Sequence, residues 1–399
     1  MQSYIKKNII AVLTSQLISK GVYGIAILLI IKYMSYDEYA NYTFMMGLVA
    51  IISGMISSSI NNIYIIGGHR FSEQINEILY LQIAVCILLS VAISFWFMLD
   101  YNVAIMVSML SLAICLSEFT KTRYQQKLKF SKYNVIEMGR MILFFLFLLV
   151  YLIVNNYFIT SNIVIILNAI ALLMIVVIDG RKIFSFSLLS LENALKFIKE
   201  ILSSRYKYLF MYIVILSIMG QTNIFFIKIL GNAYDLAIYG VSNQFFSIYS
   251  MLISAVNSVF LPVIVNSKDD YVGDLWNFKF CVAGKLLICC IILDAFLAVF
   301  VHFYFAGKYD ESIPLICIYS ILSVVSVVLV PYVNIVLKNF EFLFMMLVSI
   351  GAMLLNVFLG VVLFLWFGVV GMAVSTLISY TFLNLCGYFR AKSMLVECI

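Results

Sequence analysis

Long apolar runs, one after another with only short polar breaks, constrain this chain more than any other feature. Hydropathy marks twelve of them: residues 9–31, 42–66, 78–98, 103–119, 135–154, 158–178, 208–230, 237–265, 281–303, 312–332, 342–366 and 369–389. Their lengths run from 17 to 29 residues. A helix needs roughly 20 apolar residues to cross a bilayer, whereas a barrel strand needs only about 10. Such runs therefore predict helices, whose backbone polar groups are satisfied internally when the solvent is lipid. The composition agrees. The chain is 64% hydrophobic and 11% charged, against roughly 25% charged residues in a soluble domain. Pro262, Pro314 and Pro331 fall near the ends of runs, which suits uninterrupted helices, since an interior proline removes a backbone bond. Lys6 and Lys7 precede the first run, but that run is too long for a signal-peptide core and no small-residue cleavage site follows. It reads as a retained span. The expected fold class is all-α, a membrane protein of twelve transmembrane helices.

The longest stretch without a membrane-length run is 179–207, which carries Arg181, Lys182, Lys196, Lys199, Arg205 and Lys207. Within it Leu188, Leu191, Leu195, Ile198 and Leu202 recur at helical spacing on one face. Glu192, Lys196 and Glu200 follow at i, i+4 on another. An amphipathic, lysine-bearing helix of this kind lies in a membrane interface. It divides the chain into a lobe of six spans over 1–180, a cytoplasmic linker over 181–206 and a second lobe of six spans over 207–399.

Cations set the orientation. With a cytoplasmic N-terminus the inner segments hold 19 lysines and arginines, and the outer loops hold only Lys32 and Lys308. Positive charge collects on the cytoplasmic side of membrane proteins, so both termini are expected there. The net charge of +6 is thus a topology signal and implies no nucleic-acid partner. The halves also repeat: the stretch that begins at Tyr39 and the one that begins at Leu236 align at an offset of 197 residues. Tyr42 then matches Tyr239, Ser53 matches Ser250 and Ser57 matches Ser254. Halves of six spans share one orientation, which predicts an axis along the membrane normal and a site between them.

Several chemistries find no residues here. The eight cysteines show no CxxC spacing and read as small buried hydrophobes, so neither a disulfide nor a metal site is expected, and no cofactor is implied. There is no GxxxxGK[ST] loop for a nucleotide. His69 and His302 lie 233 residues apart, on opposite predicted sides. No Ser-His-Asp set, HExxH or DxD can be drawn, and the predicted external loops are short for an enzyme.

Polar residues within spans carry the functional reading, because an ionisable group at mid-bilayer costs roughly 2.5–3.5 kcal/mol on insertion scales. Lys20 lies near the middle of span one, with Gln16 and Tyr23 on the same face. Span eight has a stripe of Asn243, Ser247, Ser250, Ser254 and Asn257, which either lines water or bonds a neighbouring helix. Span two offers Ser57, Ser58, Asn61 and Asn62, and span seven offers Ser217, Gln221 and Lys228. Lys228 and Lys285, near span ends, suit snorkelling. Arg140 stands one turn from Glu137 and suits an internal pair. Asp294, mid-span, is a candidate proton or sodium site or a buried protonated acid.

The chain resembles the polysaccharide flippases, the Wzx-type O-antigen transporters. Their superfamily also holds multidrug extruders and lipid II flippases. The resemblance rests on length, the six-plus-six count and three segments. These are "YMSYDEYANYTF" before span two, "TKTRYQQKLKFSKYNVIE" after span four and "WFGVVGMAVSTLISY" entering span twelve. It implies a V-shaped, MATE-like pair of lobes in the bacterial cytoplasmic membrane, with a cavity lined by the first two helices of each. The implied partner is an undecaprenyl-diphosphate-linked oligosaccharide in membrane lipid, with the polysaccharide polymerase machinery as a neighbour. On that reading Lys20, Gln16, Tyr23, Asn61, Gln221, Lys228, Asn243, Ser250 and Asn257 contact substrate and Asp294 is the coupling-ion candidate. The alternatives are a multidrug or cation antiporter of the same fold and, from another class, a membrane-bound polysaccharide polymerase or transferase.

Overall fold

A computed structural model describes residues 2–67, 75–127, 129–180, 191–266 and 272–397. All regular structure among them is helical. The helices are α1 (Gln2–Tyr33), α2 (Tyr36–Ser53), α3 (Ser59–Gly67), α4 (Ile75–Trp96), α5 (Tyr101–Gln126), α6 (Phe130–Val154) and α7 (Ser161–Gly180). They continue with α8 (Leu191–Ser203), α9 (Tyr206–Met219), α10 (Thr222–Leu230), α11 (Ala233–Asn266), α12 (Val272–Tyr304), α13 (Ile313–Lys338), α14 (Phe342–Phe367) and α15 (Val369–Glu397). Ten helical segments among the described residues are long and apolar enough to cross a membrane. The other two expected spans fall on α1 and α11, helices of 32 and 34 residues whose side chains are described only in part. Large apolar side chains such as Leu88, Phe95, Ile292, Phe358 and Trp366 face outward, as a lipid solvent requires. The chain is an all-helical, multi-pass membrane protein.

The chain divides into two compact units, Met1–Gln221 and Thr222–Ile399. In the first, α1 packs along α6, α5 along α4 and α7, and α2 against α5. In the second, α15 packs along α13 and α14, and α13 also takes α11 and α12.

The internal repeat has a structural counterpart just ahead of the aligned tyrosines. Ser35 caps α2, its hydroxyl accepting the Glu38 N–H at 3.3 Å. Asn232 precedes α11, its Oδ1 accepting the Asp235 N–H at 3.0 Å while Asp235 Oδ2 accepts the Asn232 N–H at 3.1 Å. The second pair is a capping box, reciprocal between side chain and backbone, whereas the first has only the N-cap half, its acid being engaged elsewhere. They stand at the same 197-residue offset as the repeat. Glu38 also reaches a second helix, where its Oε2 accepts the Ser161 N–H at 2.6 Å and the Ser161 hydroxyl at 2.7 Å. That places a carboxylate at the N-terminus of α7, where the helix dipole favours negative charge.

Two spans depart from continuous α-helix among the described residues, and a third runs past its proline. Span two contains a π turn, Gly54–Ser58, between α2 and α3. A Cβ at Gly54 would lie 2.7 Å from the Ser217 hydroxyl, so the helix of span seven crosses against bare backbone there. Span seven breaks at Gly220–Gln221 into α9 and α10, where the sequence predicts one run. Pro331 lies inside α13, which extends to Lys338, rather than near the end of a span ending at residue 332. The hydropathy window stops early because Asn334 and Lys338 lower its average.

The amphipathic segment forms α8, with Glu192 and Lys196 paired at 2.6 Å. Phe197 and Ile201 are buried where the helix meets α4 and α9. Leu195 and Leu202, on the predicted apolar face, stay 64% and 62% exposed. That face is turned away from the protein, as an interfacial helix requires. Residues 181–190, with Arg181, Lys182 and Leu188, lie outside the described residues.

Candidate functional site

The first unit concentrates charge where α5 and α6 meet. Glu137 on α6 accepts a hydrogen bond from Lys121 Nζ of α5 at 2.7 Å through Oε2. Its Oε1 accepts from Arg140 Nη2, one turn along α6, at 2.8 Å. Lys121 also pairs with Glu118 at 2.6 Å and sits 5.7 Å from the centre of the Tyr133 ring. Two carboxylates thus hold two cations where each ion alone would be costly to desolvate. The Arg140–Glu137 pair matches the i, i+3 expectation. Lys121 does not match its own: instead of a loop cation, it is a buried side chain of α5.

Packing of α1 on α6 brings two predicted site residues to this cluster. Half-buried Lys20 feels the Glu137 carboxylate, and Tyr23 lies within electrostatic reach of Arg140 while its hydroxyl bonds Tyr42. Within electrostatic reach of one another among the described residues are thus three cations, Lys20, Lys121 and Arg140, and two carboxylates, Glu118 and Glu137. Arg140 Nε is buried without a hydrogen-bond partner among the described residues. The side chain of Gln16 lies outside the described residues.

The remaining predicted residues are placed elsewhere. Asn61 donates to Ser57 at 2.9 Å and accepts from Gln82 of α4 at 2.8 Å, a buried seam between spans two and three. Gln221 is half-buried at the break between α9 and α10, and Lys228 is exposed in the last turn of α10. On α11, Asn243 and Ser250 are half-buried and Ser247 is exposed. Ser250 returns its hydroxyl to the Ser247 carbonyl at 2.8 Å. The side chains of Ser254 and Asn257 lie outside the described residues. Asp294 on α12 accepts from the Tyr249 hydroxyl of α11 and from the Ser320 hydroxyl of α13, the latter at 2.6 Å.

A second polar centre in the Thr222–Ile399 unit is one that the sequence reading does not anticipate. Asn223 of α10 donates to the Met372 carbonyl at 3.0 Å and to the Thr376 hydroxyl at 2.6 Å, both on α15. Its Oδ1 accepts from Asn356 of α14 at 3.2 Å, and Asn356 Oδ1 accepts from Ser375 at 3.2 Å. The Tyr239 hydroxyl joins Asn223, Thr376 and Tyr319. Five helices, α10, α11, α13, α14 and α15, meet at these neutral groups, and bonded polar groups of this kind rigidify a core. The available signal is single asparagines inside apolar runs.

Neither a protein-family profile nor a curated protein sequence matches the chain. Solved structures do. The lipid II flippase MurJ in an inward closed conformation aligns with a TM-score of 0.75 at 14% identity, over 96% of this chain and 87% of that one. The MATE multidrug transporter DinF-BH gives 0.62 at 13% identity, over 98% and 95%. The Vibrio cholerae MATE transporter VcmN gives 0.60 at 10% identity, over 99% and 98%. At such identities the likeness is one of fold. The chain shares the fold of these solved structures across nearly its whole length.

Proposed function

We propose that this chain is a secondary transporter that flips an undecaprenyl-diphosphate-linked oligosaccharide across the bacterial cytoplasmic membrane by alternating access. The observation that carries the proposal is the charged cluster of the first unit. Its cations outnumber its carboxylates, and Arg140 retains a buried N–H donor without a partner among the described residues. A surplus cation inside a span is expensive, and a diphosphate bearing about two negative charges is its natural counterpart. Lys20 supplies the surplus charge while Arg140 Nε supplies a directed donor. Both act with weaker screening than at an open surface. Support also comes from MurJ, described as a lipid II flippase, which aligns with a higher TM-score than DinF-BH or VcmN. The loop cations favour a cytoplasmic position for both termini. No bond of the substrate changes in this scheme, so the protein is a carrier and not an enzyme.

Surface-polysaccharide production in a flippase-null strain tests the role of the cluster. Lys20→Arg keeps the charge and retains partial export. Lys20→Ala abolishes or severely weakens export at undiminished membrane abundance, because removing an intramembrane cation eases insertion. Full export by Lys20→Ala at equal abundance would make Lys20 a structural lysine and remove the main support for the proposal.

A further inference from the structure

Asp294 is an acid in the middle of a span, held from two other helices of its unit. The Tyr249 hydroxyl donates to Oδ1 and the Ser320 hydroxyl donates to Oδ2. Tyr249 is fully buried. Among the described residues, the other titratable groups within electrostatic reach of the carboxylate are the thiols of Cys290 on α12 and Cys317 on α13. Tyr319, next to Ser320, points its hydroxyl at Tyr239 instead. Among the described residues no lysine, arginine or histidine forms an ion pair with Asp294. Charged neighbours on α12 are distant: Lys285 lies nine residues before, and His302, paired with Asp310 at 2.8 Å, lies eight after.

Ser320 has one hydroxyl hydrogen and two acceptors in reach, Asp294 Oδ2 at 2.6 Å and the Cys317 carbonyl at 2.8 Å. A carboxyl needs such a neighbour if it is to gain and lose a proton in apolar surroundings with every polar atom satisfied. Ionised, Asp294 accepts from both hydroxyls. Protonated at Oδ2, it becomes a donor; Ser320 Oγ accepts that hydrogen and turns its own to the Cys317 carbonyl. Tyr249 keeps donating to Oδ1 throughout. One hydroxyl rotation accommodates the change.

We propose that Asp294 is a reversible proton-binding site inside the membrane, with the Ser320 hydroxyl as the element that satisfies both protonation states. The proton comes from water and returns to it, and no other bond is made or broken. Its use in driving transport rests on the reading of the chain as a secondary transporter. Its binding does not, so a failure here leaves that reading standing.

Infrared difference spectra of the full-length protein in lipid vesicles, recorded at stepped pH without substrate, test the site. The expected result is a protonated-carboxyl stretching band that grows as pH falls and is lost in Asp294→Asn, a variant of the same size. In Ser320→Ala that band shifts in frequency, since the acid then lacks its acceptor, while Ser323→Ala leaves it in place. Circular dichroism of each variant confirms equal helicity. Three results would overturn the proposal: spectra of Asp294→Asn identical to the parent's, an Asp294 band that ignores pH, or loss of the band on adding sodium at constant pH. An unshifted band in Ser320→Ala would remove the serine from the account.

Discussion

Lys121 and Glu137, from adjacent helices, form a buried ion pair of 2.7 Å, and that pair anchors the charge cluster on which the proposed function depends. Glu137 is shared with Arg140, so its loss would strand one cation and weaken the hold on another. Removing one member of a buried pair costs about 3–5 kcal/mol. Because Lys121 keeps Glu118, Glu137→Gln should fall near the lower end, roughly 3 kcal/mol. Thermal unfolding in detergent checks this, and adding Lys121→Met should recover part of the loss. Unchanged unfolding in Glu137→Gln would mean that the pairs contribute little.

Glu38 links α2 to the start of α7 through two hydrogen bonds to Ser161. Glu38→Ala removes a charged cap and should destabilise the first unit by about 1–2 kcal/mol. Asp235→Ala, at the matching place in the second half, loses only its local capping box, and its effect should be smaller. Equal losses in unfolding measurements would contradict the added role of Glu38.

Much of this architecture is legible from residue patterns alone, because apolar length dictates spans. The repeat is visible from Tyr42 and Tyr239. The caps beside it are easily passed over, although Ser35-x-x-Glu38 and Asn232-x-x-Asp235 follow the spacing of a known signature. Lys121 is misplaced by hydropathy for a physical reason. A hydropathy window counts a lysine as a loop residue whatever neutralises it, and its partner Glu137 is sixteen residues away. The bond from Tyr249 to Asp294 joins positions 45 residues apart, and no periodicity within one helix encodes such a meeting. The break at Gly220 is foreshadowed by a glycine beside glutamine in an otherwise apolar run.

At the entry to α15 the chain turns through Gly368, whose φ of 57° suits glycine. Three residues on, a Cβ at Gly371 would run into the backbone carbonyl of Leu363. Gly371→Ala should destabilise by roughly 1–3 kcal/mol or more, since a rigid helix must move. Gly351→Ala meets only Phe382 Cε1 at 3.6 Å, an ordinary contact, and should be tolerated. Membrane abundance of the two variants, measured side by side, separates them; equal abundance would contradict the close approach.

Orientation is open to direct labelling in a cysteine-free background. With the α8 segment cytoplasmic and the loop at Lys308 external, Lys308→Cys in intact cells reacts with an impermeant thiol reagent and Lys196→Cys does not. The reverse pattern would overturn the topology drawn from the cations.

Flipping itself is the central claim, and reconstitution tests it most directly. The purified protein is placed in vesicles with a fluorescent undecaprenyl-diphosphate oligosaccharide, and exposure of the sugar to an external glycosidase is followed over time. The account predicts that the protein raises the accessible fraction beyond that of empty vesicles, that the lipid-linked sugar recovered without glycosidase is chemically intact, and that Lys20→Ala suppresses the rise. No rise above empty vesicles, together with transport of a cationic dye, would contradict it in favour of a multidrug carrier; a lengthened or cleaved glycan without glycosidase would contradict it in favour of an enzyme.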